Sequence, residues 1–122
     1  MSNEIVDVIL ETILDSINIS EGRFTKIIQP DDFVLSEEGV TLLDAISMRL
    51  QVIGEQIKKL EKAAPELIQA HPEIEWKQVM KLRDLISHHY AQIDNAIVYD
   101  TCKNHLPKLK RTIQSMLRID KT

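Results

Sequence analysis

The apolar positions of this chain recur at helical spacing through most of its length. Leu43, Ile46, Leu50, Ile53, Ile57 and Leu60 follow one another at steps of three and four, the heptad pattern of a helix that packs along its whole length. This predicts a long helix over 37–62, with Ser36 as N-cap and Glu37 and Glu38 where a helix N-terminus favours acids. Leu42, Ala45 and Val52 add a second apolar face, as expected of a helix in the middle of a bundle, or of one that serves both its own core and a partner. Gly54 lies inside this helix, where glycine costs about 1 kcal/mol relative to alanine; close approach of another helix would account for it, as would simple tolerance.

The flanking runs are shorter but have the same helical period. Ile5, Val6, Ile9, Ile13 and Ile17 predict a first helix from Ser2 or Asn3 to about Ile17. A polar turn at Ser20-Glu21-Gly22 and a short helical piece from Phe24 to Ile28, stopped by Pro30, should follow. Pro65 opens a short helix that His71-Pro72 breaks, and Val79, Leu82, Leu85 and Ile86 predict a third long helix from Glu75-Trp76 to near His89. A shorter helix through Ile97, Val98 and Thr101 and a turn at Lys103-Asn104-His105 come next. Pro107 suits the first turn of a last helix, with Leu106, Leu109, Ile113, Met116 and Leu117 facing inward. Without strand alternation or repeats, the expected fold is all-α, an up-and-down bundle of four to five helices forming a single domain over 1–122.

Composition narrows the function classes. A net charge of −4 argues against a general nucleic-acid binder, yet Lys103, Lys108, Lys110, Arg111, Arg118 and Lys121 face only Asp120 in the last stretch of chain. That tail reads first as a solvated helix face with cations toward its C-terminal end, and second as a local attraction for a polyanion. The single cysteine, Cys102, excludes an intramolecular disulfide and is read as a small core residue. The start from Met1 to Leu10 has no basic n-region and no apolar run approaches the ~20 residues of a membrane span, so a cytoplasmic protein without membrane association is expected.

The chemistry concentrates in Arg83-Asp84-Leu85-Ile86-Ser87-His88-His89-Tyr90. An arginine that holds phosphate charge and a histidine that moves protons near neutral pH are what metal-free RNA cleavage requires. On a continuous helix Asp84 and His88 share one face, where the carboxylate would fix the imidazole tautomer. Arg83 and Tyr90 fall nearly in line, whereas Arg83 and His88 are about 140° apart around the axis. Convergence then needs either a bend at the helix end or a second copy of the chain. The same residues also read as an ordinary i,i+4 pair on a solvated face. No metal-ligand spacing, P-loop, GxGxxG, GxSxG or HExxH is present, and His71 and His105 are read as turn residues without a role.

Arg83, His88 and Tyr90 fit the R-x4-H-x-Y pattern, and the chain resembles the HepT-like toxins of the HEPN superfamily. Ile53-Gly54-Glu55 with Lys59-Leu60 resembles their central helix, Pro72-Glu73-Ile74-Glu75-Trp76 their P-x-I-x-W stretch, and Leu106-Pro107-Lys108-Leu109 their LPxL start of the final helix. The resemblance implies a bundle that homodimerises with its motif helices facing each other. It implies a metal-independent endoribonuclease toxin without cofactor, in which Arg83, Asp84 and His88 are catalytic. It further implies an MntA-like nucleotidyltransferase antitoxin that silences the toxin by transferring AMP to Tyr90. Asp84 stands where that family often has Asn, which adds a negative charge near the phosphate. The alternative is a non-catalytic subunit that binds nucleotide or substrate for a nucleotidyltransferase, and beyond it a purely structural helical dimer.

Overall fold

Asn3 starts the first helix: its side-chain oxygen accepts from the backbone N–H groups of Ile5 (3.0 Å) and Val6 (3.3 Å), satisfying donors that the helix itself leaves open. The computed structural model describes residues 3–88 and 92–120. Helix α1 spans Glu4–Phe24 and so runs past the turn expected at 20–22. Its polar residues stay helical because they are used in packing. Ser16 and Ser20 are buried, and Glu21 forms an ion pair with Lys110 at 2.8 Å. Tertiary contact overrides the modest local preference of serine and glycine for a turn.

A 3-10 turn, Pro30–Phe33, leads to α2, Glu37–Ala63, which Ser36 caps through its hydroxyl on the Gly39 N–H at 2.9 Å. The heptad seam is realised in full, since Leu43, Ile46, Leu50, Ile53, Ile57 and Leu60 are all buried. Leu42, Ala45 and Val52 are half-buried, as a flanking second face would be. α2 packs along α1 on one side and against the short helices α4 (Trp76–Met80) and α5 (Leu82–Ile86) on another. Gly54 marks that second contact: a Cβ there would meet the Val79 carbonyl oxygen at 2.8 Å. Close approach of another helix is therefore the reason for a glycine at this position.

Between them, α3, Pro65–Gln69, follows the end of α2, and Trp76 is fixed by its indole N–H donating to the His71 carbonyl at 2.9 Å. The third long helix expected from 75 to 89 is not continuous. Lys81 leaves helical geometry (φ −94°, ψ 7°) between α4 and α5, and the helix ends at Ile86. Ser87–His88 (β1) then pairs antiparallel with Gln92–Ile93 (β2), Ser87 opposite Ile93 and His88 opposite Gln92. The run Ser87 to Tyr90 contains only middling helix formers, and the Ile86 carbonyl accepts instead from the Asp94 N–H at 2.8 Å. This two-residue pairing, unforeseen in the sequence, leaves the all-α class unchanged.

Asp94 caps α6, Asn95–Asp100, through the Ile97 N–H. Two hydrogen bonds tie α6 to the loop before α2: Tyr99 hydroxyl to the Ile28 carbonyl (2.7 Å) and Asn95 amide to the Pro30 carbonyl (2.9 Å). The turn expected at 103–105 is instead one widened π-helical turn, Thr101–His105, that joins α6 to α7, Leu106–Asp120. Pro107 explains it. Proline brings no N–H to bond four residues back and its ring crowds that carbonyl, so a looser turn accommodates it where a regular one does not. Leu106, Leu109, Ile113, Met116 and Leu117 are buried as expected.

Candidate active site and an adjoining cleft

α5 carries the first half of the motif. Leu82 and Ile86 are buried and anchor this single turn of helix beneath α2, leaving Arg83 and Asp84 exposed. Neither makes a hydrogen bond or ion pair with another described residue. A guanidinium with no protein carboxylate to satisfy is available to a phosphate, for which its planar fork of donors is well matched. His88 follows within the same short stretch, its backbone in β1. His89 and Tyr90, with the role expected of Tyr90, lie outside the described residues.

The structure corrects the geometry expected from a continuous helix. Because α5 ends at Ile86, Asp84 and His88 do not sit one above the other on a helical face. The chain leaves the helix after Ile86 and bends into β1, which holds His88. What holds the bend is the β1–β2 pairing and the Asp94 bond to Ile86, both made by backbone.

Beside α5 lies a cleft of about 270 Å3. Leu82 and Leu85 of α5, Val79 of α4, Ile97 of α6 and Leu109 of α7 give it apolar walls. Its rim is polar, with Glu75, Gln78, Asn104, His105 and Lys108. The π turn organises part of this rim. The Asp100 carboxylate accepts from the Asn104 amide at 2.7 Å, and its other oxygen lies 3.1 Å from His105 Nε2. A separation of five residues suits that widened turn, which is why His105, read from sequence as a turn residue, has a partner.

Elsewhere, burial and hydrogen bonding shift a few titratable groups. Cys102 is buried, and burial pushes its thiol up to about 12, with Glu21 adding to the shift, so it is no nucleophile at neutral pH. The Glu73 carboxyl is held below its ordinary value, chiefly by its own backbone N–H and then by the ring of His71. In the basic tail, Lys103 lies 5.6 Å over the Tyr99 ring and Lys110 pairs with Glu21. Lys108, Arg111 and Arg118 are exposed and have no partner among the described residues. Among the described residues no group of three or more His, Cys, Asp or Glu side chains is placed to hold a metal ion, and no helix is long and apolar enough to cross a membrane.

Comparison with known proteins places the chain in a family. A family model described as "Ribonuclease HepT-like" matches residues 8–116. A Methanocaldococcus jannaschii protein named "Gamma-glutamylcyclotransferase and putative RNase" is 33% identical over 112 residues, which is 92% of this chain and 47% of that protein. The chain thus spans less than half the length of that relative. A Thermococcus cleftensis protein named "Probable ribonuclease HepT" is 30% identical over 107 residues, 88% of this chain and 91% of that one. No solved structure gives a significant match.

Proposed function

The chain belongs to the HepT-like ribonuclease family, and on that premise we propose that it is an endoribonuclease whose site is built on α5 and the strand that follows it. The observation that carries this reading is Arg83, exposed on a well-anchored turn, unpaired among the described residues, and five residues before His88. The reaction is attack of an RNA 2′-hydroxyl on the adjacent phosphorus, without a metal. The P–O bond to the 5′-oxygen breaks, leaving a 2′,3′-cyclic phosphate and a 5′-hydroxyl. His88 takes the 2′-hydroxyl proton, protonates the leaving oxygen, or does both, since imidazole titrates near neutral pH. Arg83 binds the non-bridging oxygens and stabilises the added charge of the transition state.

Asp84 lies next to Arg83 on the exposed side of α5, four residues ahead of His88 in the chain. In this reading Asp84 orients the imidazole, and a second copy of the chain, docked through the same motif, pools two such sites in one groove. The protein is then the toxin of a toxin–antitoxin pair. Its partner is an MntA-like nucleotidyltransferase that transfers AMP to Tyr90, adding bulk and negative charge where RNA must enter. The test is cleavage of RNA by purified protein in EDTA, wild type beside His88→Ala, with end-group analysis. Cyclic phosphate ends from wild type alone are expected. Equal cleavage by a folded His88→Ala protein would remove His88 from the mechanism, and dependence on added divalent cation would overturn the metal-free step.

A further inference from the structure

We propose that the cleft beside α5 receives one unpaired nucleobase of the RNA, adjacent to the phosphate held by Arg83, and that its rim favours bases bearing an exocyclic amino group over uracil. The proposal rests on the ribonuclease reading and adds to it a source of sequence preference. Three of the sequence landmarks converge on this cleft. Ile74 and Glu75 come from the stretch before the motif, Leu82 and Leu85 bracket Arg83 and Asp84, and Leu106 and Leu109 open the final helix. The fourth landmark, Gly54, packs behind them against Val79 and Leu82. Leu82 and Leu85, which line the cleft, thus flank Arg83 on the single turn of α5.

Size and chemistry select the occupant. At about 270 Å3 the cleft is smaller than the ~300–1,000 Å3 of pockets that take drug-sized ligands. It has room for one flat ring system. The aliphatic walls offer apolar faces for a ring to lie between. Glu75 is exposed at the rim with no partner among the described residues, and Asn104, having given its amide N–H to Asp100, keeps its carbonyl oxygen free to accept. Such acceptors match the amino groups of adenine, cytosine and guanine, as carboxylates accept from cytosine N4 in base recognition. Uracil presents carbonyl oxygens on both flanks of its one ring N–H and is disfavoured. The same carboxylates repel phosphate, so the base enters and the backbone stays outside, where Lys108 supplies a cation at the mouth.

The experiment uses the full chain and 2′-O-methyl octanucleotides of A, C or U, which bind but have no free 2′-hydroxyl to react, with affinity read by fluorescence anisotropy. Oligo-A and oligo-C are expected to bind about tenfold more tightly than oligo-U, the size of one good hydrogen bond to a charged group. Glu75→Gln and Asn104→Ala should each shrink that ratio, and Gln78→Trp, which places an indole across the mouth, should erase it. Arg83→Ala should weaken all three ligands alike and keep the ratio. Equal binding of the three ligands by wild type would overturn the proposal, as would a ratio unchanged in Glu75→Gln and Gln78→Trp. So would Gln78→Trp dissociating a dimer with the ratio intact, because a second copy would then be the occupant. Cleavage of the matching RNAs is scored separately. Base-selective binding without cleavage keeps the cleft and removes the ribonuclease reading, whereas cleavage without base selectivity does the reverse.

Discussion

Helix α2 and the segment from Lys81 to Asp94 are in contact, yet they are held by different means. α2 is fixed many times over: six seam positions are buried, a serine caps its start, and helices pack on two sides of it. Among the described residues, the second segment is anchored by Leu82 and Ile86, one short backbone pairing and the Asp94 cap, while Arg83 and Asp84 stay exposed. The difference separates scaffold from candidate site. α2 supplies a long buried seam, whereas Arg83 and Asp84 sit exposed on a single turn that two buried residues anchor. Local stability that varies in this way is usual, and binding segments are commonly drawn from its low end.

The sharpest way to break the comparison is to hollow out α2. Ile53→Ala should cost about 2–5 kcal/mol in chemical denaturation, whereas Arg83→Ala should stay within about 0.5 kcal/mol of wild type. Comparable losses from both would mean that the arginine is structural. Gly54→Val probes the contact between the two regions. The new side chain meets the Val79 carbonyl, and a shift of α4 and α5 should lower stability by about 1–3 kcal/mol. It should also lower ribonuclease activity from a position that touches no substrate. A smaller effect is expected from Asp94→Ala, which removes the α6 cap: about 1 kcal/mol, read as faster hydrogen exchange at the Ile97 amide.

The smallest effect separates a third place from both. The backbone N–H groups of Ile28 and Gln29 hold the Asp32 carboxyl below its ordinary value. A depressed carboxyl contributes stability above its unfolded pKa and loses it as pH falls through the folded one. Asp32→Asn should therefore flatten the acid limb of the stability curve below about pH 4 and change little at pH 7. An unchanged acid limb would show that these two hydrogen bonds add nothing in solution.

The two regions also differ in how far sequence reveals them. α2 was legible because its signal is redundant: a seam at steps of three and four, an N-cap and two acids in its first turn all indicate the same element. Gly54 was legible as a close approach, although not as an approach by the carbonyl of a broken helix. The break at Lys81 left no mark, because Val79, Leu82, Leu85 and Ile86 keep helical spacing across it. The strand at Ser87–His88 is set by pairing with Gln92–Ile93, which periodicity does not register. Of the candidate site, the residue types and their order could be read, whereas the bend that separates Asp84 from His88 could not. The cleft was missed because its walls come from four helices and its polar rim from residues spread over the second half of the chain. The remaining clue was the spacing of Asp100, Asn104 and His105, which becomes a cluster only on a π turn before a proline.

The central claim is that the exposed turn at Arg83 is kept for chemistry and not for the fold. Cleavage in EDTA and thermal unfolding, measured on one preparation each of wild type and Arg83→Ala, test it most directly. Loss of a charge-stabilising donor should lower the cleavage rate by roughly 10²–10³, with the melting temperature unchanged. A variant that cleaves at the wild-type rate, or that loses activity only in step with its stability, would contradict the account.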